Sequence, residues 1–426
     1  MSQRIVVVGS GFAGFWAALS ARRLISLTPE KGAAEAAKVE VVVIAPDANL
    51  VMRPRLYEPN PANMSEPVDD IYRACGVNFV HGIVDTINAA EHKIEVVDRA
   101  GVRSTMPYDK LVLAAGSRVV RPAIPGLDNY AFSVDQMEDA VKLDRHLQSL
   151  ASKPSSKARN TIVVCGSGFT GIEVAAELPG RLRTVLGEDA DFRVITVDRS
   201  QEIGPDLGPG PRPHIVKALN DLGVESRQGT AVVGLDAGGV TLSSGERIET
   251  LTAIWTAGVA ATPLTKQVSN ERDGFGRLHV DENLRVPKVR DVFAAGDAAS
   301  AAADDSGHCA KMSCQHASPL GRVAGYNAAA DLLKIPTIPY SQPTYRVCLD
   351  LGAAGAVVGE GWEVNVQYTG FKAKPIKQFI NGTLIYPPKA IAAEAFAAAD
   401  PAFDGSDPAG NHPTLNGFLQ EYGISV

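Results

Sequence analysis

Two glycine-rich turns are the part of this sequence whose residue types and spacing most directly predict chemistry. Both follow the pattern G-x-G-x-x-G, over residues 9–14 and again over residues 166–171. In this pattern the first glycine allows a tight turn, the second lets the backbone approach a pyrophosphate, and the third lets a helix pack on a strand. The helix that follows then offers free N–H groups to the anion. Two such turns predict two dinucleotide sites, most simply for a flavin nucleotide and a nicotinamide nucleotide.

The residues of each turn form a predicted cofactor cradle, and the elements around it have the required order. The cradle residues are Gly9, Gly11, Phe12, Ala13 and Gly14 in the first turn, and Gly166, Gly168, Phe169, Thr170 and Gly171 in the second. The predicted strands are 4–8, 39–45, 161–165 and 192–198, and the helices after the two turns are 15–24 and 172–178. Strand, glycine turn and helix in this order is the context that the dinucleotide fingerprint requires. Strands that alternate with helices predict parallel, doubly wound sheets.

Acidic residues after the second strand of each unit bear on which nucleotide is bound. Asp198 ends the second strand of the second unit, where a carboxylate accepts hydrogen bonds from the ribose and repels the 2′-phosphate of NADPH. Arg199 could pair with that phosphate instead, but we interpret it as a solvated loop residue and expect NADH. In the first unit the matching position is Ala45, and Asp47 is the candidate for the ribose.

Three further strand patterns end in glycine and extend the predicted cofactor sites. Ala115 and Gly116 end the first pattern, and Ala257 and Gly258 end the second, each at a crossing between units. The third pattern ends in Gly296-Asp297. An aspartate at a strand end beside a glycine turn suits a hydrogen bond to a ribityl or other sugar-like hydroxyl. These residues, listed together, are Ala115, Gly116, Ala257, Gly258, Gly296 and Asp297.

Composition excludes several classes of protein. The chain has 426 residues, 45% hydrophobic and 21% charged, and a formal net charge of −7, which gives no electrostatic footprint for nucleic acid. No apolar run approaches the length of a membrane-spanning helix. The first strand pattern begins at Arg4, and we expect no secretory signal peptide and a cytoplasmic protein. Five cysteines do not make a disulfide framework.

One cluster of cysteines and histidines has the residue types of a metal or redox site. His308, Cys309, Cys314 and His316 are spaced too compactly for a zinc site, so no metal is predicted, and a redox disulfide between the two cysteines is the less favoured alternative. Residues 49–58 lack the Cys-x4-Cys pair of disulfide reductases. Cys348 has no evident cysteine partner for sulfide oxidation.

Together these motifs resemble the two-dinucleotide-domain flavoprotein oxidoreductases, over about residues 3–390. The resemblance implies an α/β fold with two Rossmann-like doubly wound domains. FAD would bind a domain that is split in sequence into residues 1–120 and 286–340, and NAD(P)H an inserted domain of residues 121–285. Residues 341–426 would form a small C-terminal α+β segment.

Within that superfamily the sequence is most similar to the type II NADH dehydrogenase (NADH:quinone oxidoreductase) branch. The segments over 171–178 and 53–58 resemble those of the branch, which makes Arg53 a cofactor-binding candidate. Residues 310–315 occupy the place of its quinone-site motif, Ala-Gln-x-Ala-x-Gln, with Lys311 at the first glutamine and Gln315 retained.

The resemblance implies catalytic roles for three residues. Glu173 resembles the family glutamate that reaches toward the stacked nicotinamide and flavin, and Lys311 and Gln315 would contact the acceptor on the opposite flavin face. Tyr386 and Lys377 are further candidates for the acceptor site. A cation such as Lys311 would stabilise an acceptor that gains negative charge as it is reduced.

The implied activity is oxidation of NADH by hydride transfer to FAD, followed by electron transfer to a quinone-like acceptor. Two alternatives stay open because Lys311 departs from the motif. One is a soluble NAD(P)H oxidoreductase with a small-molecule or redox-protein acceptor, and the other is an NADH-sensing flavoprotein with low turnover. Residues 396–426 are sparse in large apolar residues and carry acidic residues where an interfacial helix prefers Lys or Arg, so membrane contact is at most peripheral, at the inner face. A homodimer is also compatible with the resemblance.

Overall fold

The computed structural model of the protein describes residues 3–28, 39–403 and 417. In chain order the strands are β1 Gln3–Val8, β2 Val39–Ala45, β3 Asn49–Val51, β4 Ser65–Pro67, β5 Asn78–His81, β6 Ile83–Asn88, β7 Lys93–Val97, β8 Arg103–Pro107, β9 Lys110–Leu113, β10 Ser117–Val119, β11 Ala131–Phe132, β12 Thr161–Cys165, β13 Arg193–Val197, β14 Val224–Arg227, β15 Val232–Asp236, β16 Gly239–Leu242, β17 Arg247–Glu249, β18 Thr252–Trp255, β19 Val259–Ala261, β20 Leu278–His279, β21 Val292–Ala294, β22 Ala299–Ser300, β23 Arg346–Asp350, β24 Ala356–Glu360 and β25 Asn365–Gly370. The α-helices are α1 Phe12–Leu27, α2 Asp69–Cys75, α3 Leu127–Tyr130, α4 Met137–Ser149, α5 Lys157–Asn160, α6 Phe169–Leu186, α7 Arg212–Asp221, α8 Thr265–Val268, α9 Cys314–Leu333, α10 Lys374–Phe379 and α11 Ala392–Ala398.

The first sheet is parallel, with strand order β21-β9-β1-β2-β5. Its strands are almost entirely buried runs of β-branched residues, as expected for a parallel sheet covered on both faces. Strand β21 pairs with β9 although the whole second sheet lies between them in sequence. The first unit is therefore split in sequence, as predicted.

The second sheet repeats the first in topology, with parallel strand order β11-β18-β12-β13-β14. The strand before the second glycine turn, β12, is central here as β1 is in the first sheet. Both units therefore have the doubly wound arrangement that the sequence predicted, in which the glycine turn lies at the carboxyl end of a central strand.

Close packing of α9 on α1 fixes the helix that follows the first glycine turn. Gly321 and Gly325, one turn apart on α9, face the backbone of Ala13 and Ala17 on α1. A Cβ atom at either glycine would overlap the carbonyl oxygen opposite it. Because glycine lets the two backbones approach, α9 can hold the amino-terminal end of α1 in place.

Helix α9 contains a proline and is stabilised from outside the helix at that point. Pro319 has no N–H to donate to the carbonyl of Gln315, one turn earlier. The side-chain amide of Gln342 donates to that carbonyl instead, at 3.3 Å. The chain just before β23 is thereby tied to the first turn of α9.

The C-terminal segment consists of the antiparallel sheet β23-β24-β25 and two short helices, with a π-helical turn over Ile380–Leu384 between them. It contacts the second unit through Gly352, where a Cβ would overlap the carbonyl oxygen of Ala176 on α6. Within the described residues, no helix is both long enough and apolar enough to cross a membrane. Most of the C-terminal tail for which peripheral membrane contact is predicted, residues 404–416 and 418–426, lies outside the described residues.

Candidate active site

The two glycine turns have the same backbone geometry. Gly9 and Gly166 have positive φ angles of 107° and 116°, which residues with a Cβ rarely adopt. A Cβ at Gly14 would overlap the carbonyl oxygen of Gly9, and one at Gly171 would overlap that of Gly166. Each first glycine is thus needed for its conformation, and each third glycine is needed for close contact between helix and turn.

The middle glycines leave room for a ligand. Gly11 and Gly168 are extended, and a Cβ at either position would meet none of the described atoms within 4 Å. The helices that begin at Phe12 and Phe169 have no side-chain cap and no acidic first-turn residue among the described residues. Their first N–H groups are therefore free to bind an anion. Both turns fit the pyrophosphate of a dinucleotide.

The strand ends beside the two turns differ in a way that separates the two sites. In each unit the N–H of the first glycine donates to the carbonyl just before Ala45 or Asp198, so these two residues occupy equivalent positions. Asp198 accepts hydrogen bonds from the N–H groups of Ser167, at 2.6 Å, and Ser200, at 2.8 Å. The carboxylate is thus held against the second glycine turn, while Arg199 is exposed.

Asp47, the ribose candidate of the first unit, contacts a different part of the protein. Its carboxylate forms an ion pair with Arg99, and both side chains are more than half exposed. The structure therefore places Asp47 beyond the end of β2, paired with a loop residue. Its contact with a ribose stays a prediction.

The two crossing segments lie side by side between the units. Strands β10 and β19 pair antiparallel, and each follows one of the predicted glycines, Gly116 or Gly258. Ala115 follows the residue whose carbonyl lies against Gly9, and Ala257 lies against Gly166. All four crossing residues are therefore near a glycine turn or on the connection between the two.

Asp297 is brought to the first glycine turn by its neighbour. Gly296 lies so close to α1 that a Cβ on it would be 2.8 Å from the Cβ of Ala13. The carboxylate of Asp297 accepts hydrogen bonds from the hydroxyl of Ser117, at 2.6 Å, and from Nη1 of Arg53, at 3.4 Å. Gly296, Asp297 and Arg53, which are predicted to bind a cofactor, thus form one cluster with Ser117.

Asp135 extends this cluster from the second unit. Its carboxylate pairs with Arg53 and accepts from the N–H of Val119 at 3.0 Å, and its carbonyl accepts from Nε of Arg53 at 3.0 Å. Sequence analysis missed both Ser117 and Asp135. Ser117 could have been found because it directly follows Gly116, whereas no pattern in the sequence marks Asp135.

Glu173 forms a buried ion pair with Lys377 on α10. Nζ of Lys377 lies 2.9 Å from Oε1 of Glu173, and both side chains are 5% exposed. The same oxygen accepts from the N–H of Asp350 at 3.0 Å. Burial raises the pKa of Glu173 to about 7, although Lys377 opposes this rise. Burial alone would lower the pKa of Lys377, but the charge of Glu173 reverses this and raises it. Lys377 therefore stays cationic, while Glu173 can take up or lose a proton near neutral pH.

Lys311 and Gln315 lie near the start of α9 with different surroundings. Lys311 is exposed, and the nearby Asp304 is bonded to His308. In the amide orientation that satisfies both groups, the side-chain nitrogen of Gln315 donates to the carbonyl of Arg346 at 2.9 Å, and its oxygen accepts from the Arg346 N–H at 3.1 Å. Gln315 therefore joins α9 to the start of β23. The ammonium group of Lys311 faces solvent.

Residues 3–321 match the pyridine nucleotide-disulphide oxidoreductase family. The chain belongs to this family. It is 46% identical over 402 residues to an NADH dehydrogenase-like protein of Mycobacterium tuberculosis, covering 93% of this chain and 98% of the relative. It is 29% identical over 366 residues to a demethylphylloquinone reductase of Synechocystis, covering 83% of this chain and 86% of the relative.

Solved structures support the fold of this family member. The structure of NDH2 from Plasmodium falciparum in complex with NADH superposes with a TM-score of 0.75 at 15% identity, covering 93% of this chain and 98% of that chain. At this identity the likeness concerns the fold alone. The resemblance drawn from the glycine turns and crossing segments, and the α/β fold that it implied, are confirmed.

In this family member a cavity of about 440 Å³ opens beside the Glu173–Lys377 pair. Tyr57, Glu177 and Lys377 are among the residues that line it. The ammonium of Lys377 lies 6.0 Å from the ring centroid of Tyr57 and 5.9 Å from that of Phe169, which suits a cation–π contact. Burial raises the pKa of Glu177 as well. The pair therefore lies where a loop of the first unit, α6 of the second and the C-terminal segment meet.

The two further acceptor candidates, Lys377 and Tyr386, both lie on this side of the site. The hydroxyl of Tyr386 accepts from Arg55 at 2.7 Å, and Arg55 lines the same cavity. No described contact joins either residue to Lys311. Among the described residues no cluster of histidine, cysteine or acidic side chains could hold a metal, and the five cysteines, all of which are described, are free.

Proposed function

We propose that the protein is an FAD-dependent NADH dehydrogenase that passes electrons to a quinone-type acceptor. The observation that carries this proposal is the pair of matching glycine turns, each with an open middle glycine and an uncapped helix start. Asp198 at the second turn suits the ribose of NADH. The names of the relatives, an NADH dehydrogenase-like protein and a demethylphylloquinone reductase, support the same pair of substrates.

The first unit would hold FAD and the second NADH. The first glycine turn would bind the pyrophosphate of FAD, and Asp297, fixed by Arg53 and Ser117, would bind its ribityl chain. The second turn would bind the pyrophosphate of NADH, with Asp198 on the ribose. When bound, the flavin supplies the two-electron chemistry that links hydride donation by NADH to reduction of a second substrate.

Glu173 and Lys377 are the residues that we assign to proton handling near the junction of the units. A carboxyl group whose pKa is about 7 can hold and release a proton under the conditions of turnover. Lys377 supplies a fixed positive charge that makes the release possible despite burial.

We place the acceptor at the start of α9, beside Lys311. Its exposed ammonium would stabilise an acceptor that becomes more negative as it is reduced. Gln315 acts here by holding α9 to β23 through Arg346. We assign the protein to the cytoplasm, with peripheral contact at the inner face of the membrane through its quinone substrate. Formation of a homodimer is a further property to measure.

The test is a two-stage flavin assay on the purified protein. The protein should be yellow and release about one FAD per chain on heating, NADH should bleach the flavin without oxygen, and a water-soluble quinone should restore the colour. A colourless protein that takes up no FAD would refute the proposal. Restoration only by another small acceptor or a redox protein would favour the soluble NAD(P)H oxidoreductase. Bleaching without turnover, with a change in oligomeric state, would favour the sensor.

A further inference from the structure

A histidine held by a carboxylate lies in the loop before α9. Nδ1 of His308 is 2.7 Å from Oδ2 of Asp304, and the backbone N–H of His308 donates to the other oxygen at 3.1 Å. The imidazole ring also stacks on Trp362, with ring centroids 4.5 Å apart and planes 1° from parallel. The His308 side chain is 38% exposed and that of Asp304 only 12%. One edge and one face of the imidazole are therefore fixed, while the ring remains accessible.

Trp362 connects this histidine to the region assigned to the acceptor. Its indole stacks on Tyr345 at 5.1 Å and contacts the ring of His316 at 5.8 Å. His316 directly follows Gln315 and is completely buried, and its Nε2 has no partner among the described residues. His308, Trp362 and Tyr345 thus form a wall of flat rings that runs from the loop to the first turn of α9. We call these three residues the aromatic wall.

Lys311 borders the same wall. Lys311 follows His308 by three residues in the same loop. Burial lowers the pKa of His316 to about 4, and the charges of Lys311 and then Arg277 add to this effect. Nη1 of Arg277 donates to the carbonyl of Ala310, next to Lys311, at 2.6 Å. A substrate beside Lys311 would therefore be near the imidazole of His308 as well.

The pairing with Asp304 is the arrangement that a proton donor requires. An aspartate on Nδ1 fixes the ring orientation and leaves Nε2 to face outward. Burial acts to raise the pKa of Asp304, but hydrogen bonds from His308 and Ser306 lower it below its ordinary value. Asp304 therefore stays ionised.

We propose that His308, oriented by Asp304, is the acid that protonates the acceptor. This rests on the proposed function, in which NADH, a proton and a quinone give NAD⁺ and a quinol. The hydride of NADH provides two electrons and one proton. The second proton would pass from Nε2 of His308 to a carbonyl oxygen of the acceptor, and His308 would then recover a proton from solvent. The aromatic wall favours a flat, conjugated acceptor, because such rings stack on indole and phenol.

Fluorescence gives a readout of the histidine that does not depend on activity. A protonated imidazole quenches the indole on which it stacks, so emission of the FAD-loaded protein should change as pH is varied from 5 to 8.5. Of the other groups near Trp362, His316 has a pKa of about 4, and burial and then Asp206 raise the pKa of Tyr345, so neither titrates in this range. The change should vanish in His308→Gln and become smaller in Asp304→Asn, where no carboxylate holds the ring against Trp362. His214→Gln, an exposed histidine on α7, is the matched control and should behave like the wild type.

Stopped-flow kinetics test the catalytic role. When the NADH-reduced protein is mixed with a water-soluble quinone, the rate of flavin reoxidation should fall as pH rises through the midpoint seen by fluorescence. His308→Gln should lower this rate about tenfold or more at low pH and remove the pH dependence, consistent with the effect of a positioned acid. Flavin bleaching by NADH should be unchanged in both variants and in the His214→Gln control, which also shows that they fold.

The two possible failures have different signatures. If the wild type is reoxidised by quinone and His308→Gln matches it at every pH, the acid role is refuted while the proposed function stands. The same holds if fluorescence shows no titration that depends on His308. If NADH does not bleach the wild type, or quinone does not reoxidise it, the proposed function itself is refuted, and the role of His308 with it.

Discussion

Replacing Glu173 by glutamine should change how stability depends on pH. The carboxyl is buried against Lys377, and its pKa of about 7 is well above the ordinary value of 4.5. The folded protein thus binds this proton more tightly than the unfolded chain, so the stability from protonated Glu173 is complete below pH 4.5 and is lost as pH rises through 7. At 1.36 kcal/mol per pKa unit, the loss amounts to about 3 kcal/mol. Glutamine cannot ionise and should show no such loss.

The measurement compares urea unfolding of the FAD-loaded wild type and Glu173→Gln between pH 4.5 and 8. Other carboxyl groups titrate in both proteins and cancel in the difference. The unfolding free energy of Glu173→Gln minus that of the wild type should increase by about 3 kcal/mol between pH 4.5 and 8. Lys377→Met should extend the loss of stability to higher pH, because the cation that favours the carboxylate is gone. Parallel curves for wild type and Glu173→Gln would refute the reasoning, since they would mean that Glu173 titrates normally despite its burial.

Three further outcomes are expected at the cofactor and acceptor sites. Gly11→Val should abolish FAD binding, measured by absorbance, because the side chain fills the open cradle, whereas the matched Gly168→Val should keep FAD and lose flavin reduction by NADH. The wild type should prefer NADH. Asp198→Ser should reduce the ratio of kcat/KM for NADH over NADPH about tenfold, since a charged hydrogen bond contributes about 1.5–3 kcal/mol. A wild type that prefers NADPH would instead indicate that Arg199 binds the 2′-phosphate. Lys311→Ala should slow reoxidation of the flavin by the acceptor and leave flavin reduction by NADH unchanged. A defect confined to flavin reduction would place Lys311 on the nicotinamide face of the flavin instead.

The nucleotide cradles could be predicted from the sequence because everything that forms them is local. Strand, turn and helix follow within about twenty residues, and each glycine has a steric reason that holds in any protein with this turn. The second glycine turn shows the same local pattern and supports the same prediction. The backbone hydrogen bonds of the two units place Ala45 at the position equivalent to Asp198.

The partners of the predicted residues could not be inferred in the same way. Glu173 was identified, but its carboxylate contacts Lys377 and Asp350, which lie about 200 residues further along the chain. Nothing in the sequence around Glu173 or Lys377 indicates this contact. The contact depends on Gly352, which has no side chain and so lets the C-terminal segment approach α6.

The nucleotide cradles and the proposed acceptor region are formed by different parts of the chain. The cradles use only residues of the two nucleotide-binding units, whereas the surroundings of the proposed acceptor region include Tyr345, Arg346 and Trp362 from the C-terminal segment. Trp362 lies in the turn between β24 and β25, and its contact with His308 does not involve either glycine turn. Substitutions in that turn can therefore change which acceptor is reduced while both nucleotides still bind. Exchange of Trp362 for leucine should accordingly alter the relative rates of reoxidation by different quinones and leave flavin reduction by NADH as it is.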